Sequence, residues 1–188
     1  MRFPVLVALV AAAVPVAARG QDAPDNPYRN AKVGDYATYL MTMKVGESER
    51  KVTVTNTVKA LTDKEATIEV TGKMNGTAIP PQTQKIDLTR PFDPTTAGLS
   101  KSGGKADTKV EKVADGKESI SAGGKSYDTT WTTYKVFTKS PAGDVTADVK
   151  AWLGKDIPLG LGKMEMTSMI AGMAMKMQLE LIETGGAK

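Results

Sequence analysis

Glu49-Arg50-Lys51-Val52-Thr53-Val54-Thr55-Asn56-Thr57-Val58-Lys59-Ala60-Leu61 alternates almost without a break. Val52, Val54, Val58 and Ala60 share one parity; Lys51, Thr53, Thr55, Thr57 and Lys59 share the other. A strand sends successive side chains to opposite faces. The pattern therefore predicts an antiparallel sheet with one dry and one wet face. Asn56 interrupts the dry parity. A buried amide needs hydrogen-bond partners, so a satisfied structural Asn is expected there.

The same rhythm runs outward in both directions. Asp35 to Val45 places Tyr39, Met41, Met43 and Val45 on one parity, and Ala66 to Met74 turns Ile68, Val70 and Met74 inward. Asn75-Gly76 is a two-residue hairpin signal, because both residues tolerate positive φ. Thr77 to Leu88 contains Pro80-Pro81, which demands an edge strand or a bulge. Lys109 to Ala114 and Lys117 to Ala122 predict a hairpin around Asp115-Gly116. Lys125 to Lys139, with Tyr127, Trp131, Tyr134 and Phe137, is a long strand. Val145 to Leu153, Gly162 to Met169 and Met173 to Thr184 complete the series. The chain has 22 Thr, many alternating with Val or Ile, as a pleated, half-buried surface favours. The expected fold class is all-β: a single large curved antiparallel sheet or open barrel of about ten strands, with few or no helices.

The ends read differently. Residues 1–20 have the form of a signal peptide: Arg2, then an apolar run from Val5 to Ala18, then small residues at Ala18 and Gly20 before Gln21. Cleavage after Ala18 is the alternative. The run is short of the roughly 20 residues a membrane span needs. Removal of Arg2 and Arg19, with no acid lost, takes the net charge from +4 to +2. Residues 21–32, polar and with two prolines, read as a flexible leader, and residues 33–188 as a single antiparallel β domain. Thr89 to Thr108, rich in Gly and Pro, reads as a surface loop, with a lid as the alternative. The expected location is exported, periplasmic or secreted, and soluble after cleavage. Without Cys at the cleavage site the chain is not expected to be a lipoprotein.

Composition narrows the chemistry. With no His and no Cys in 188 residues there is no Ser-His-Asp triad, no thiol nucleophile, no disulfide framework and no Cys/His zinc site. Aromatics are 5% of the chain and no basic block tracks a phosphate backbone, so nucleic acid is not an expected partner. The acids are scattered in or beside loops, where Asp supports turns, and no spacing singles out a catalytic dyad. The chain is therefore expected not to be an enzyme and to need no cofactor. A hydrolase working with carboxylates alone is the alternative.

The methionines stand out. Six of the ten lie between residues 164 and 177. Met173, Met175 and Met177 share a parity with Leu179 and Leu181, and Met164 and Met166 alternate with Lys163 and Glu165. A hairpin would thus present one face lined with thioethers. Three readings compete. The face is core, with Met filling irregular gaps. Or it is a deformable groove for a hydrophobic small molecule or lipid, through Met164, Met166, Met173, Met175 and Met177. Or Met173, Met175 and Met177 hold Cu(I), since soft thioethers select soft metals. Trp152 is added as a ligand-binding candidate, because it falls on the polar parity with Thr146, Asp148 and Lys150. A bulge before it that restores packing is the competing account.

Two stretches carry a family resemblance: Lys32-Val33-Gly34-Asp35-Tyr36, and Val149-Lys150-Ala151-Trp152-Leu153-Gly154-Lys155-Asp156-Ile157-Pro158-Leu159-Gly160-Leu161-Gly162-Lys163. The second resembles a segment of exported bacterial proteins that look distantly like the lipoprotein-carrier half-barrels of the LolA, LolB and LppX types. That resemblance implies a curved antiparallel sheet around an apolar cavity, with helices across its mouth. This chain departs from the pattern in lacking amphipathic helices, and no functional residue of that family maps onto it. The function expected from these readings is an exported, non-enzymatic binding or scaffold protein that holds a hydrophobic, lipid-like ligand against a Met-lined sheet face.

Overall fold

The computed structural model describes residues 26–90, 107–139, 144–170 and 173–186. The expected signal peptide and most of the 89–108 loop lie outside the described residues. A short 3-10 turn, Pro27–Asn30, leads into nine strands: β1 (Tyr36–Val45), β2 (Ser48–Leu61), β3 (Glu65–Met74), β4 (Thr77–Asp87), β5 (Asp107–Ala122), β6 (Lys125–Lys139), β7 (Val145–Leu153), β8 (Leu161–Ile170) and β9 (Met173–Gly185). They form one open, curved, antiparallel sheet in the order β4-β3-β2-β1-β9-β8-β7-β6-β5. The described residues contain no α-helix. The all-β expectation holds.

The inner face follows the parities read from the sequence. Ala37 and Tyr39 of β1, Val54 and Val58 of β2, Ile68 of β3, Val149 and Ala151 of β7, Met164 of β8 and Leu179 and Leu181 of β9 are buried on it. Pro80-Pro81 lie on β4, an edge strand, at a point where the ladder slips between Val70–Gln82 and Gly72–Ile79. Both devices that two prolines demand are present together. Asn75 and Gly76 have φ of 52° and 82°, as the two-residue hairpin requires.

Two local readings are corrected. Asp115-Gly116 is not a turn: residues 107–122 are one strand, paired along its whole length with β6. A bulge between Lys112 and Ala114 is the only break, leaving Val113 out of the ladder. Ala60 is not on the dry face. A bulge between Val58 and Ala60 flips the parity, so Ala60 is exposed and Leu61 packs against the core.

One end of the sheet is capped. Part of the expected flexible leader, residues 26–31, is docked there: Asn26, Tyr28 and Ala31 are buried. Asn26 Nδ2 donates to the carbonyls of Asp87 and Arg90, and Arg29 Nε donates to Leu88 O at 2.9 Å. The β7–β8 loop closes on itself through Gly154 N–H to Gly160 O (2.9 Å) and Gly160 N–H to Ile157 O (2.7 Å). Its Ile157 and Leu159 join Tyr28, Leu88 and Tyr39 in the core, and Tyr39 Oη donates to Leu161 O at 3.1 Å.

Burial pushes the Tyr28 phenol up to about 12. It holds Tyr39 well above the ordinary phenol value, with Tyr28 nearby adding to the effect. Both folded pKa values exceed the unfolded one. Their contribution is therefore intact below about pH 10 and is lost as pH rises, for Tyr28 through about 12. For Tyr28 it amounts to about 3 kcal/mol. Alkaline titration should show Tyr28 and Tyr39 ionising only together with loss of the far-ultraviolet strand signal. Free tyrosinate absorbance from both in a still-folded chain would refute the capped core.

Candidate functional site

The β1–β2, β3–β4 and β8–β9 turns stand side by side at the end opposite the cap, because these strands occupy consecutive places in the sheet. On β9 and β1 the inner-face side chains become more exposed toward that end, whereas Val52 on β2 and Ser168 on β8 stay buried there. On β9, Leu181, Leu179 and Met177 are buried, Met175 is half-buried and Met173 is 53% exposed. On β1, Ala37 and Tyr39 are buried, Met41 and Met43 half-buried and Val45 exposed. The sheet therefore has a capped base and, on β1 and β9, a less covered far end, its mouth, and methionines span the change between them.

The candidates divide along this gradient. Met164 and Met177 are core, at 1% and 4% exposure. Met166 and Met175 are half-buried, and Met173 sits at the rim. The core reading thus describes Met164 and Met177, while the other three are only partly covered or exposed. The register adds neighbours that the hairpin pattern alone does not show. Met177 pairs with Met43 on one side and Met166 on the other, and Leu179 lies between Met41 and Met164. The thioether row therefore crosses three strands and includes Met41 and Met43. Facing residues on adjacent strands are about 5 Å apart. Met173, Met175 and Met177 instead succeed each other along one strand at about 6.5–7 Å, so the trio considered for Cu(I) is strung out rather than gathered.

Two polar atoms lie buried on this face without a hydrogen-bond partner among the described residues: Asn56 Oδ1 and Ser168 Oγ. For Asn56 Oδ1 the expected partner is absent among the described residues. Each such atom costs about 1–3 kcal/mol when left unpaired. Asn56 faces Ala37 and Val70 toward the cap, and Ser168 faces Met175 and Ala147 toward the mouth.

Trp152 does not belong to this face. Its register with β6 is unbroken, and it pairs with Trp131 and Lys163 on the opposite side of the sheet. The bulge follows Trp152, between Trp152 and Leu153 in the β7–β8 ladder, so it does not restore the dry parity. The indole is nevertheless only 4% exposed. Its Nε1 donates to Glu118 Oε2 at 2.9 Å. The Lys150 ammonium lies 4.4 Å from the ring centroids of both Trp131 and Trp152, and Lys163 lies 4.8 Å from that of Trp152. Cations over indole faces bury an aromatic on a wet surface without apolar cover. Glu118 also borders a shallow cleft with Asp128 and Asp156, where Ser119 Oγ donates to Asp128 Oδ1 at 2.6 Å. Two of these three carboxylates are thus engaged in holding neighbours.

No protein-family model and no curated protein sequence matches the chain. Solved structures do match its fold. A protein from Parabacteroides distasonis designated a lipoprotein aligns over 88% of this chain and 100% of its own, at 12% identity and a TM-score of 0.52. A protein from Bacteroides fragilis designated exported, with a YmcC-like fold, aligns over 82% and 97%, at 8% identity and a TM-score of 0.51. An S-type phycobiliprotein lyase from Guillardia theta aligns over 86% and 92%, at 9% identity and a TM-score of 0.40.

Proposed function

We propose that this chain is an exported, non-enzymatic binding protein that holds a lipid-like molecule against the methionine row at the open half of its inner face. One observation carries the reading: exposure of same-face methionines rises stepwise from Met177 through Met175 to Met173, so the apolar face continues past the point where the chain stops covering it. Flexible thioethers suit an apolar ligand of variable shape. The unpartnered Ser168 Oγ, which faces Met175 toward the mouth, offers a polar contact to a hydroxyl or amide of such a ligand. Export accords with the signal-like residues 1–20 and with the designations of the Parabacteroides and Bacteroides proteins. A distant kinship with lipoprotein-carrier half-barrels belongs to the same proposal, with no helix across the mouth among the described residues.

The test is saturable binding of a fluorescent fatty acid in solution. Met166→Asp is expected to weaken binding more than about tenfold by placing a charge on the apolar row, while Met166→Leu preserves it. Ser168→Ala removes the unpaired hydroxyl. It should leave the free protein equally or more stable while lowering affinity for a hydroxylated fatty acid more than for its unsubstituted parent. Absence of saturable binding, or binding indifferent to Met166→Asp, sinks the proposal.

A further inference from the structure

The open rim has a composition of its own. Val45 and Met74, each 40% exposed, end β1 and β3, and Met169 and Met173, 56% and 53% exposed, flank the β8–β9 turn. These are half of the large exposed hydrophobics among the described residues. They lie on three adjacent hairpins, and Gly46 N–H donates to Ala174 O, tying two of the tips together. The tips of these hairpins, residues 44–51, 73–78 and 168–176, carry Lys44, Arg50, Lys51, Lys73 and Lys176 against Glu47 and Glu49, a net of +3. Lys44 and Lys51 share the single carboxylate of Glu49. Arg50, Lys73 and Lys176 have no ion-pair partner among the described residues.

Exposed apolar side chains ringed by uncompensated cations match an anionic bilayer. The apolar tips enter the headgroup–acyl boundary while the ammonium and guanidinium groups stay with lipid phosphates. We infer that this rim docks the protein on an anionic lipid surface, with Met169, Met173, Val45 and Met74 inserted and Arg50, Lys73 and Lys176 at the headgroups. The geometry gives docking a purpose. Met173 lies on the rim and on the parity of Met175 and Met177, so a lipid chain leaving the bilayer meets the methionine row without crossing water.

The experiment uses the chain recovered after export, its N-terminus fixed by mass spectrometry. It is mixed with vesicles of phosphatidylcholine alone or with phosphatidylglycerol. Co-sedimentation is expected with the phosphatidylglycerol vesicles and to fall as salt is raised. Lys73→Glu with Lys176→Glu should lower the partition coefficient more than about tenfold, since each basic residue near such a surface contributes about a factor of five. Met169→Asp with Met173→Asp should abolish it, and circular dichroism should show the sheet retained. Fatty-acid binding in solution is measured on the Lys73→Glu, Lys176→Glu chain, whose changes lie off the methionine row. If it persists while vesicle binding is lost, the two functions are separable as inferred. Recovery that ignores phosphatidylglycerol, or is unchanged in both variants, overturns the inference. So does a dimer that forms without lipid and dissolves in the Met169→Asp, Met173→Asp chain, because the rim is then a contact between copies.

Discussion

Gly160→Ala should destabilise the folded chain by about 2–5 kcal/mol, a large loss for a single methyl group. Two costs combine. Gly160 has a φ of 75°, where an added Cβ costs about 1–2 kcal/mol. That Cβ would also fall 2.1 Å from Pro27 Cβ and 2.6 Å from its Cγ, an overlap that adds about 1–3 kcal/mol. Pro27 cannot easily withdraw, because Asn26 and Arg29 anchor its turn to Asp87, Leu88 and Arg90. Leu159, the preceding residue, also has positive φ (63°). It is held there by burial, which contributes about 1.5–3 kcal/mol. Gly76→Ala is the control. Its φ is 82°, but an added Cβ meets nothing within 4 Å, so only the backbone cost applies. Urea denaturation of the two variants measures the difference. Equal losses would show that the contact between residue 27 and the β7–β8 loop does not close the base of the sheet.

That contact marks what the sequence could and could not disclose. Parity was legible wherever one strand face is buried, because a register slip would expose a whole apolar row; β2, with its valines, and β9, with Met and Leu, are the clear cases. A bulge is nearly silent in sequence. Nothing about Lys59 announces that Ala60 turns outward and Leu61 inward. Asp115-Gly116 carried the local chemistry of a turn, yet pairing of β5 with all of β6 overrode it, and Gly116 simply faces Trp131. Trp152 was visible as an anomaly but its answer was not. Its partner Glu118 is 34 residues away and its covering cations come from β7 and β8. The methionine row shows the same division. Alternation placed Met173, Met175 and Met177 on one face. Which of them is covered depends on the cap built by residues 26–31 and 154–160, and Met43 joins the row only through the β1–β9 pairing. Local pattern assigns a face, and long-range closure decides whether that face is core or surface.

Met164→Ala and Met175→Ala put that distinction to measurement. Met164 is 1% exposed between Ala151 and Leu179, so truncation should leave a cavity and cost about 2–5 kcal/mol. Met175 is half-buried between Val45 and Ser168, and less apolar surface is returned to water, so its truncation should cost about 1 kcal/mol. The order should reverse for binding. Met175→Ala removes contacts at the mouth and should weaken fatty-acid uptake several-fold. Met164→Ala opens a dry pocket behind the row and should leave uptake equal or improved, since an apolar void accepts an apolar guest. Denaturation and probe titration on the same two samples give four numbers. Equal stability losses with no change in uptake would mean that the whole row is closed core and the ligand reading fails. A small loss at Met175 with weakened uptake, beside a large loss at Met164 without it, would locate the boundary between core and site within the two strands of one hairpin.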